Sequence, residues 1–161
     1  MKERTSCLIG HRTIEDTLEL RTELYESIER LITDEKVDTF LFGSKSRFND
    51  LCYELVTEIK EKYPHIKRVY VRAEYPNIDD SYKAYLFKYY EDTYYPDKIK
   101  GAGRAIYVER NCEMINNSRF CIVYCDADYN LPNRKSGTEI ALGYAVRQNK
   151  VIIKFSKKNV D

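Results

Sequence analysis

Short runs of apolar residues alternate along the chain with longer segments in which apolar residues recur every three or four positions. The short runs are rich in β-branched and aromatic residues, as buried strands are, whereas the longer segments have the periodicity of amphipathic helices. The predicted strands cover residues 4–10, 39–42, 67–73, 120–124 and 151–155. Helices are predicted over residues 13–35, 48–63, 79–89, 105–117 and 136–149.

This alternation of strands and helices predicts an α/β fold, because each helix then connects two parallel strands by a right-handed crossover. We expect a Rossmann-like open parallel sheet of about five strands in the order 3-2-1-4-5, with helices on both faces. No linker, internal repeat or low-complexity segment interrupts the pattern, so one domain is predicted over residues 1–161. In such a sheet a ligand binds beyond the carboxyl ends of the strands, where the strand order reverses.

The last predicted long helix begins at Ser136, Gly137 and Thr138. The first N–H groups of a helix lack internal partners, and a glycine there lets a phosphate or carboxylate approach them closely. Ser136 and Glu139 also have the spacing of a capping box, in which two side chains satisfy the helix end internally. The sequence leaves both interpretations open, an anion site and a plain cap.

A second polar turn, Gly10-His11-Arg12, follows the first predicted strand at its carboxyl end. The guanidinium group of Arg12 offers paired donors to a phosphate or a carboxylate. Two plainer interpretations stay open. In the first, Arg12 pairs with Asp126 or Glu15 and is not free to bind a ligand. In the second, His11 only forms a hydrogen bond within its turn.

If the predicted strand order holds, this turn and the helix start at residue 136 reach one crevice, flanked by the end of the second strand. The candidate ligand-binding residues on this geometry are Gly10, His11, Arg12, Gly43, Ser44, Asp126, Ser136, Gly137 and Thr138. They suit a nucleotide-like ligand, because the helix N–H groups accommodate phosphate and a carboxylate accepts from ribose hydroxyls. Asp126 is the predicted ribose partner, and the polar loop that contains Pro132 and Asn133 follows it.

Tyrosines are concentrated between residues 75 and 107, where the helix predicted from residue 79 gives way to an irregular segment. That segment carries Lys98, Lys100 and Arg104, and it is interpreted either as a lid over an anionic ligand or as an ordinary solvated loop. The helical spacing of the tyrosines favours core packing or a subunit contact. Stacking on nucleic-acid bases is the less favoured alternative.

Charge and composition exclude several classes of protein. Lys and Arg number 27 against 26 Asp and Glu, which argues against binding nucleic acid through bulk charge. The chain has no apolar run long enough for a membrane helix and no signal peptide at its start, so a cytoplasmic protein without membrane partners is expected. Five cysteines without a CxxC pair indicate reduced, mostly buried thiols, and no metal or cofactor is expected.

Five segments together resemble a known family. They are Cys7-x-x-Gly10-His11-Arg12, Phe40-x-Phe42-Gly43, Tyr107-x-Glu109-Arg110-Asn111-x-x-Met114-Ile115-x-x-Ser118, the strand end at Asp126, and Ser136-Gly137-Thr138 with Ala141 and Tyr144-Ala145. This set resembles the YspA/YpsA-type branch of the SLOG superfamily, which also includes the Lonely-guy phosphoribohydrolases and the DNA-processing protein DprA. The resemblance runs from about residue 7 to residue 155.

The resemblance implies a Rossmann-like sheet that binds nucleotides or nucleotide-derived ligands, often as a sensor, with phosphate at the helix start of residues 136–138. It also implies that Arg110 and Asn111 face the ligand. Two departures stand out. The Lonely-guy enzymes carry a catalytic glutamate three residues after the threonine of their motif, where this chain has Ala141, and Glu139 lies about 200° of helix rotation away from that position. The second strand ends in Gly43-Ser44-Lys45-Ser46-Arg47-Phe48, which differs from the small residues typical of the branch.

Three functions follow, in order of preference. The first is binding or sensing of a nucleotide or an ADP-ribose-like ligand, because no convincing catalytic pair lies beside the predicted anion site. The second is an N-glycosidase or phosphoribohydrolase acting on nucleoside monophosphates, with Glu139 or Asp126 stabilising charge on the ribose. The third is a DNA-processing accessory role. Self-association through the tyrosine-rich segment is a further prediction.

Overall fold

Six parallel strands form an open sheet in the computed structural model, which describes residues 2–126 and 136–157. In chain order the strands are β1 (Thr5–Gly10), β2 (Thr39–Phe42), β3 (Lys67–Val71), β4 (Asp92–Tyr94), β5 (Phe120–Tyr124) and β6 (Val151–Phe155). The helices are α1 (Leu18–Thr33), α2 (Arg47–Lys62), α3 (Asp80–Leu86), α4 (Ile106–Asn116) and α5 (Gly137–Arg147).

The strand order is β4-β3-β2-β1-β5-β6, and every neighbouring pair is parallel. The predicted α/β class, parallel pairing and order of the five strands are confirmed, and the sequence missed only the edge strand β4. That strand has three residues, Asp92–Tyr94, which is too short to show an alternating pattern. The order reverses between β1 and β5, so the crevice expected at a switch point lies between their carboxyl ends.

The two faces of the sheet carry separate apolar clusters, because alternate residues of each strand point to opposite sides. Leu8 and Phe40 pack with the apolar sides of α1 and α2 on one face. Cys7, Ile9 and Val123 pack with Met114 of α4 and with the small residues of α5 on the other. Helices therefore cover both faces, as predicted. Of the five cysteines, Cys112 is half-buried and the others are buried.

Helix α1 begins later than predicted. The sequence placed its start at residue 13, but Thr17 is the N-cap and its hydroxyl accepts from the Leu20 N–H at 3.1 Å. The residues before it are not helical, and the Asp16 carboxylate among them accepts hydrogen bonds from Arg21 and Arg47. These bonds tie the segment after β1 to α1 and α2.

The tyrosine-rich region contains α3, which ends at Leu86, three residues earlier than predicted. The segment beyond β4 forms two short 3₁₀ turns, and Ile99 in the first is buried. The polar loop predicted around Pro132 and Asn133 lies outside the described residues. Within the two described ranges, no helix has both the length and the apolar composition needed to cross a membrane.

Candidate functional site

A cavity of about 740 Å³ opens at the carboxyl ends of β1, β2 and β3, beside the start of α5. Each of these elements contributes residues to its wall. It lies at the carboxyl edge, as predicted, but beside β1, β2 and β3 and not between β1 and β5, because no residue of β5 is among its described lining residues. Its volume lies within the range of about 300–1,000 Å³ typical of small-molecule sites.

The turn after β1 forms one wall of the cavity with Gly10, His11 and Arg12. Gly10 allows helix α2 to approach closely, since a Cβ at this position would lie 2.3 Å from the ring of Phe48. Arg12 is exposed, and it forms no ion pair with Asp126, with Glu15 or with another described residue. Its side chain is therefore available to the cavity.

His11 is buried and connects the ends of β1 and β5. Its Nε2 accepts a hydrogen bond from the backbone N–H of Asp126 at 2.8 Å. Burial lowers the pKa of His11, although Asp126 and Glu139 act in the opposite direction. The imidazole is thus neutral near pH 7, and its Nε2 holds the two strand ends in position.

The start of α5 combines the two interpretations that the sequence left open. The capping box is formed, because the Ser136 hydroxyl accepts from the Glu139 N–H at 3.1 Å and Glu139 Oε1 accepts from the Ser136 N–H at 3.4 Å. The N–H groups of Gly137 and Thr138 donate to no described residue, and both residues line the cavity. A Cβ added to Gly137 would meet no atom within 4 Å, so the backbone here is open to a ligand. A cap and an accessible pair of N–H groups therefore coexist.

The end of β2 contributes Gly43, Ser44, Lys45 and Ser46 to the cavity. Gly43 packs tightly against α4, because a Cβ would lie 2.9 Å from Cδ of Arg110. The Nη1 group of Arg110 donates to the Gly43 carbonyl at 2.6 Å. The absence of a side chain at Gly43 thus lets Arg110 cross the end of β2.

Arg110 is only 4% exposed, although it lines the cavity. Besides the Gly43 carbonyl it donates through Nε to Asn111 Oδ1 at 3.2 Å, and its guanidinium lies 5.7 Å from the ring centre of Tyr107. It forms no ion pair with a carboxylate of the described residues. Burial lowers the pKa of Arg110, but a guanidinium remains charged near pH 7.

The end of β3 and the segments after it form the far wall. Tyr70, Arg72 and Glu74 line the cavity here, together with Tyr82 of α3 and Tyr107 of α4. The Tyr107 hydroxyl donates to Glu74 Oε1, which joins the loop after β3 to the start of α4. Four aromatic side chains, of which Tyr75 is the fourth, and one buried arginine therefore give this wall a different character from the turn after β1.

The charge around the cavity is uneven. Four cations line it, Arg12, Lys45, Arg72 and Arg110, whereas Glu74 is the one carboxylate among the described lining residues. The whole chain has a formal net charge of only +1. Positive charge is thus concentrated at one site, which favours an anionic ligand.

Most of the sequence-derived candidates lie together at this cavity. The residues that line it are Gly10, His11, Arg12, Gly43, Ser44, Arg110, Asn111, Ser136, Gly137 and Thr138. Asp126 and Glu139 do not line it. The Asp126 carboxylate accepts from the backbone N–H of Lys157, and Glu139 belongs to the capping box. Lys98, Lys100 and Arg104 also lie outside its wall, so the described structure shows no lid formed by them.

Sequence reasoning missed the far wall. Arg72 directly follows the observed end of β3, and an ending at Val71 instead of residue 73 would have placed it among the loop residues at the carboxyl edge. Tyr82 was recognised only as a member of the tyrosine-rich region, Tyr107 also as part of a family-like segment, and Tyr70 only as a residue of the third strand. No local pattern separates a tyrosine that lines a cavity from one that packs elsewhere.

Comparison of the chain with models of known protein families and with curated proteins found no match. The described residues contain no group of three or more His, Cys, Asp or Glu side chains arranged to hold a metal ion. The site is therefore interpreted from its own residues.

Proposed function

We propose that the protein binds a nucleotide or a nucleotide-derived ligand, such as an ADP-ribose-like molecule, in the cavity at the carboxyl edge of the sheet. The main support for the proposal is the charge of the cavity, whose volume is about 740 Å³: four cations and only one carboxylate are among its described lining residues. Arg110 adds the strongest single argument, because an arginine that is 4% exposed and lacks a described carboxylate partner is costly without an anion.

The start of α5 is the proposed phosphate site. The N–H groups of Gly137 and Thr138 have no described acceptor and lie at the positive end of the helix dipole, and Arg12 lines the same cavity. The aromatic side chains of the far wall offer flat apolar surfaces against which a base or a sugar can pack. Membership of the SLOG superfamily, in its YspA/YpsA-type branch, is proposed on the sequence resemblance and agrees with this arrangement.

Binding without catalysis is favoured over the N-glycosidase alternative. Neither proposed catalytic carboxylate, Glu139 or Asp126, lines the cavity. Glu74 does line it, but its Oε1 already accepts from Tyr107. Nucleic acid is the least favoured partner, and self-association through the tyrosine-rich segment stays a prediction that light scattering can measure.

Isothermal titration calorimetry with adenosine, AMP, ADP and ADP-ribose tests the proposal. We expect the phosphate-bearing ligands to bind and to raise the melting temperature, because a ligand that binds only the folded state stabilises it. Adenosine is expected to bind at least tenfold more weakly than AMP, and Arg12→Ala to weaken AMP binding. If no phosphate-bearing compound binds or stabilises the protein, the proposal is wrong.

A further inference from the structure

The cavity has two cationic regions on different strands. One comprises Arg12 after β1 and the start of α5. The other comprises Arg72 after β3 and Arg110, which crosses the end of β2. The first region accounts for one phosphate, so the second requires an explanation of its own.

Arg72 is 8% exposed and is held only by neutral acceptors. Its Nε donates to the Tyr75 carbonyl at 3.1 Å, its Nη1 to Thr93 Oγ1 at 3.0 Å, and its Nη2 to the Pro76 carbonyl at 3.5 Å. No carboxylate of the described residues forms an ion pair with it. These bonds use three of the five N–H donors of a guanidinium, so donors and the full charge remain for a ligand.

The two buried arginines act on the same place in the cavity. Burial raises the pKa of Tyr70 and the Glu74 carboxylate acts in the same direction, while Arg110 and Arg72 both act against this rise. The Tyr70 side chain thus lies in the field of both guanidinium groups, and it lines the cavity with them. Two cations without described carboxylate partners flank one tyrosine, which is a built environment for a second anion.

The spacing of the strands separates the two regions. Neighbouring strands lie about 4.8 Å apart, so the ends of β1 and β3 are about 10 Å apart across β2. The start of α5 follows β5 on the far side of β1, which adds to this distance. The strand ends that carry the two regions are thus far enough apart for two anionic groups separated by a nucleoside.

We propose that the cavity binds a small nucleotide with two separated anionic groups, one at the start of α5 with Arg12 and the other at Arg72 and Arg110. This inference rests on the nucleotide-binding function proposed above. The ligand class is a short linear or cyclic oligonucleotide, in which a sugar and base separate the phosphates. Tyr82 and Tyr107 line the cavity at this end and supply aromatic faces for a base.

Calorimetry of the wild-type protein with three ligands tests whether binding requires two separated anionic groups. AMP carries one phosphate group, ADP carries two contiguous groups, and the 5′-phosphorylated dinucleotide pApA carries two groups separated by a nucleoside, with the same formal charge as ADP. We expect pApA to bind at least tenfold more tightly than either AMP or ADP. Equal or tighter binding of ADP overturns the inference, because charge alone then explains affinity.

Arg72→Gln tests the second region directly, with Arg104→Gln as the matched control. Arg104 is exposed and lies outside the cavity wall, so this variant loses the same charge without losing a wall residue. Arg72→Gln is expected to reduce the advantage of pApA over ADP to threefold or less and to leave AMP affinity unchanged. Arg104→Gln is expected to leave all three affinities unchanged.

The outcomes separate this inference from the proposed function. If AMP and ADP bind but pApA binds no tighter, the inference is wrong and the proposed function stands. If none of the three probes binds, the proposed function is wrong and the inference fails with it. Arg72 also holds the loop after β3, so circular dichroism is needed to check that Arg72→Gln folds. If that variant does not fold, the comparison of AMP, ADP and pApA on the wild-type protein decides whether the inference holds.

Discussion

Arg68 and Arg72 lie four residues apart on and just after the same strand, yet their surroundings differ. Arg68 donates to the carboxylate of Glu91 through Nε at 3.0 Å and Nη2 at 2.7 Å. Arg72 donates only to carbonyl and hydroxyl oxygens among the described residues. The chain thus neutralises the half-buried Arg68 with its own carboxylate and leaves the buried Arg72 at the cavity wall.

Other arginines of the described structure also differ in whether they form an ion pair with a carboxylate. Arg21 and Arg47 share the Asp16 carboxylate on the far side of the turn after β1. Arg110, which is more deeply buried than either, has no such partner in the described structure. Paired arginines hold elements together, whereas the arginines at the cavity form no ion pair with a described carboxylate and keep their charge available to an anionic ligand.

The largest expected effect is on ligand affinity in Arg110→Met. We expect pApA to bind about tenfold more weakly, a change of about 1.4 kcal/mol, because a buried charged donor of the second region is lost, while AMP affinity stays within twofold. The free energy of unfolding without ligand should change by about 1 kcal/mol or less, since the substitution also removes an uncompensated buried charge. Calorimetry and urea denaturation measure the two effects. Unchanged affinity for pApA would remove Arg110 from the site.

Arg68→Met should give the opposite result. Removing this arginine leaves Glu91, whose side chain is 28% exposed, without its main partner, so we expect a loss of about 1–2 kcal/mol in unfolding free energy. Affinity for AMP should stay within twofold of the wild type, because Arg68 does not line the cavity. A loss of affinity without a loss of stability would mean that the two classes of arginine are not distinct.

Gly137→Ala should weaken AMP binding by about fivefold, or about 1 kcal/mol, with little effect on stability. The added Cβ meets no protein atom within 4 Å, so the fold accommodates it, but the methyl group stands where a phosphate would approach the N–H groups. Calorimetry gives the affinity, and thermal unfolding should show a melting temperature close to that of the wild type. Unchanged affinity would place the phosphate elsewhere on the cavity wall.

The smallest expected effect concerns acid stability. Hydrogen bonds from Arg21 lower the pKa of Asp16 below its ordinary value of 3.8, with Arg47 acting in the same direction. The stabilisation from Asp16 is therefore fully present above about pH 4 and is lost as the pH falls through the lowered pKa. Asp16→Asn should lower the melting temperature at pH 7 slightly and reduce its decline between pH 4 and pH 2. An identical decline in both proteins would contradict the assignment.

Local sequence signals predicted the elements that bring the phosphate region together. The apolar run of β5 and the Ser136 cap located a strand and a helix start, and the turn after β1 followed from a short strand that ends in glycine. Sheet topology then placed both at one edge. The start of α1 was wrong because two threonines offer similar caps, and hydrogen bonds from Arg21 and Arg47 to Asp16 decide between them.

The second cationic region could not be predicted because it depends on contacts between residues that are far apart in the sequence. Whether Arg72 or Arg68 meets a carboxylate is decided by β4, which pairs with β3 and follows Glu91. That strand is too short to be recognised from its sequence. The position of Arg110 at the cavity likewise depends on the close packing of Gly43 against α4. This contact is between residues 67 positions apart in the sequence.

Titration of ¹⁵N-labelled protein with AMP, followed through amide chemical shifts, tests the central claim most directly. The account predicts saturable shifts at the N–H groups of Gly137, Thr138 and Arg12, which reach a plateau at one equivalent when the protein concentration is well above the dissociation constant. In Arg12→Ala, the shifts at Gly137 and Thr138 should be much smaller at the same concentration of AMP. Absence of shifts in the wild type, or shifts confined to residues outside the cavity, would contradict the account.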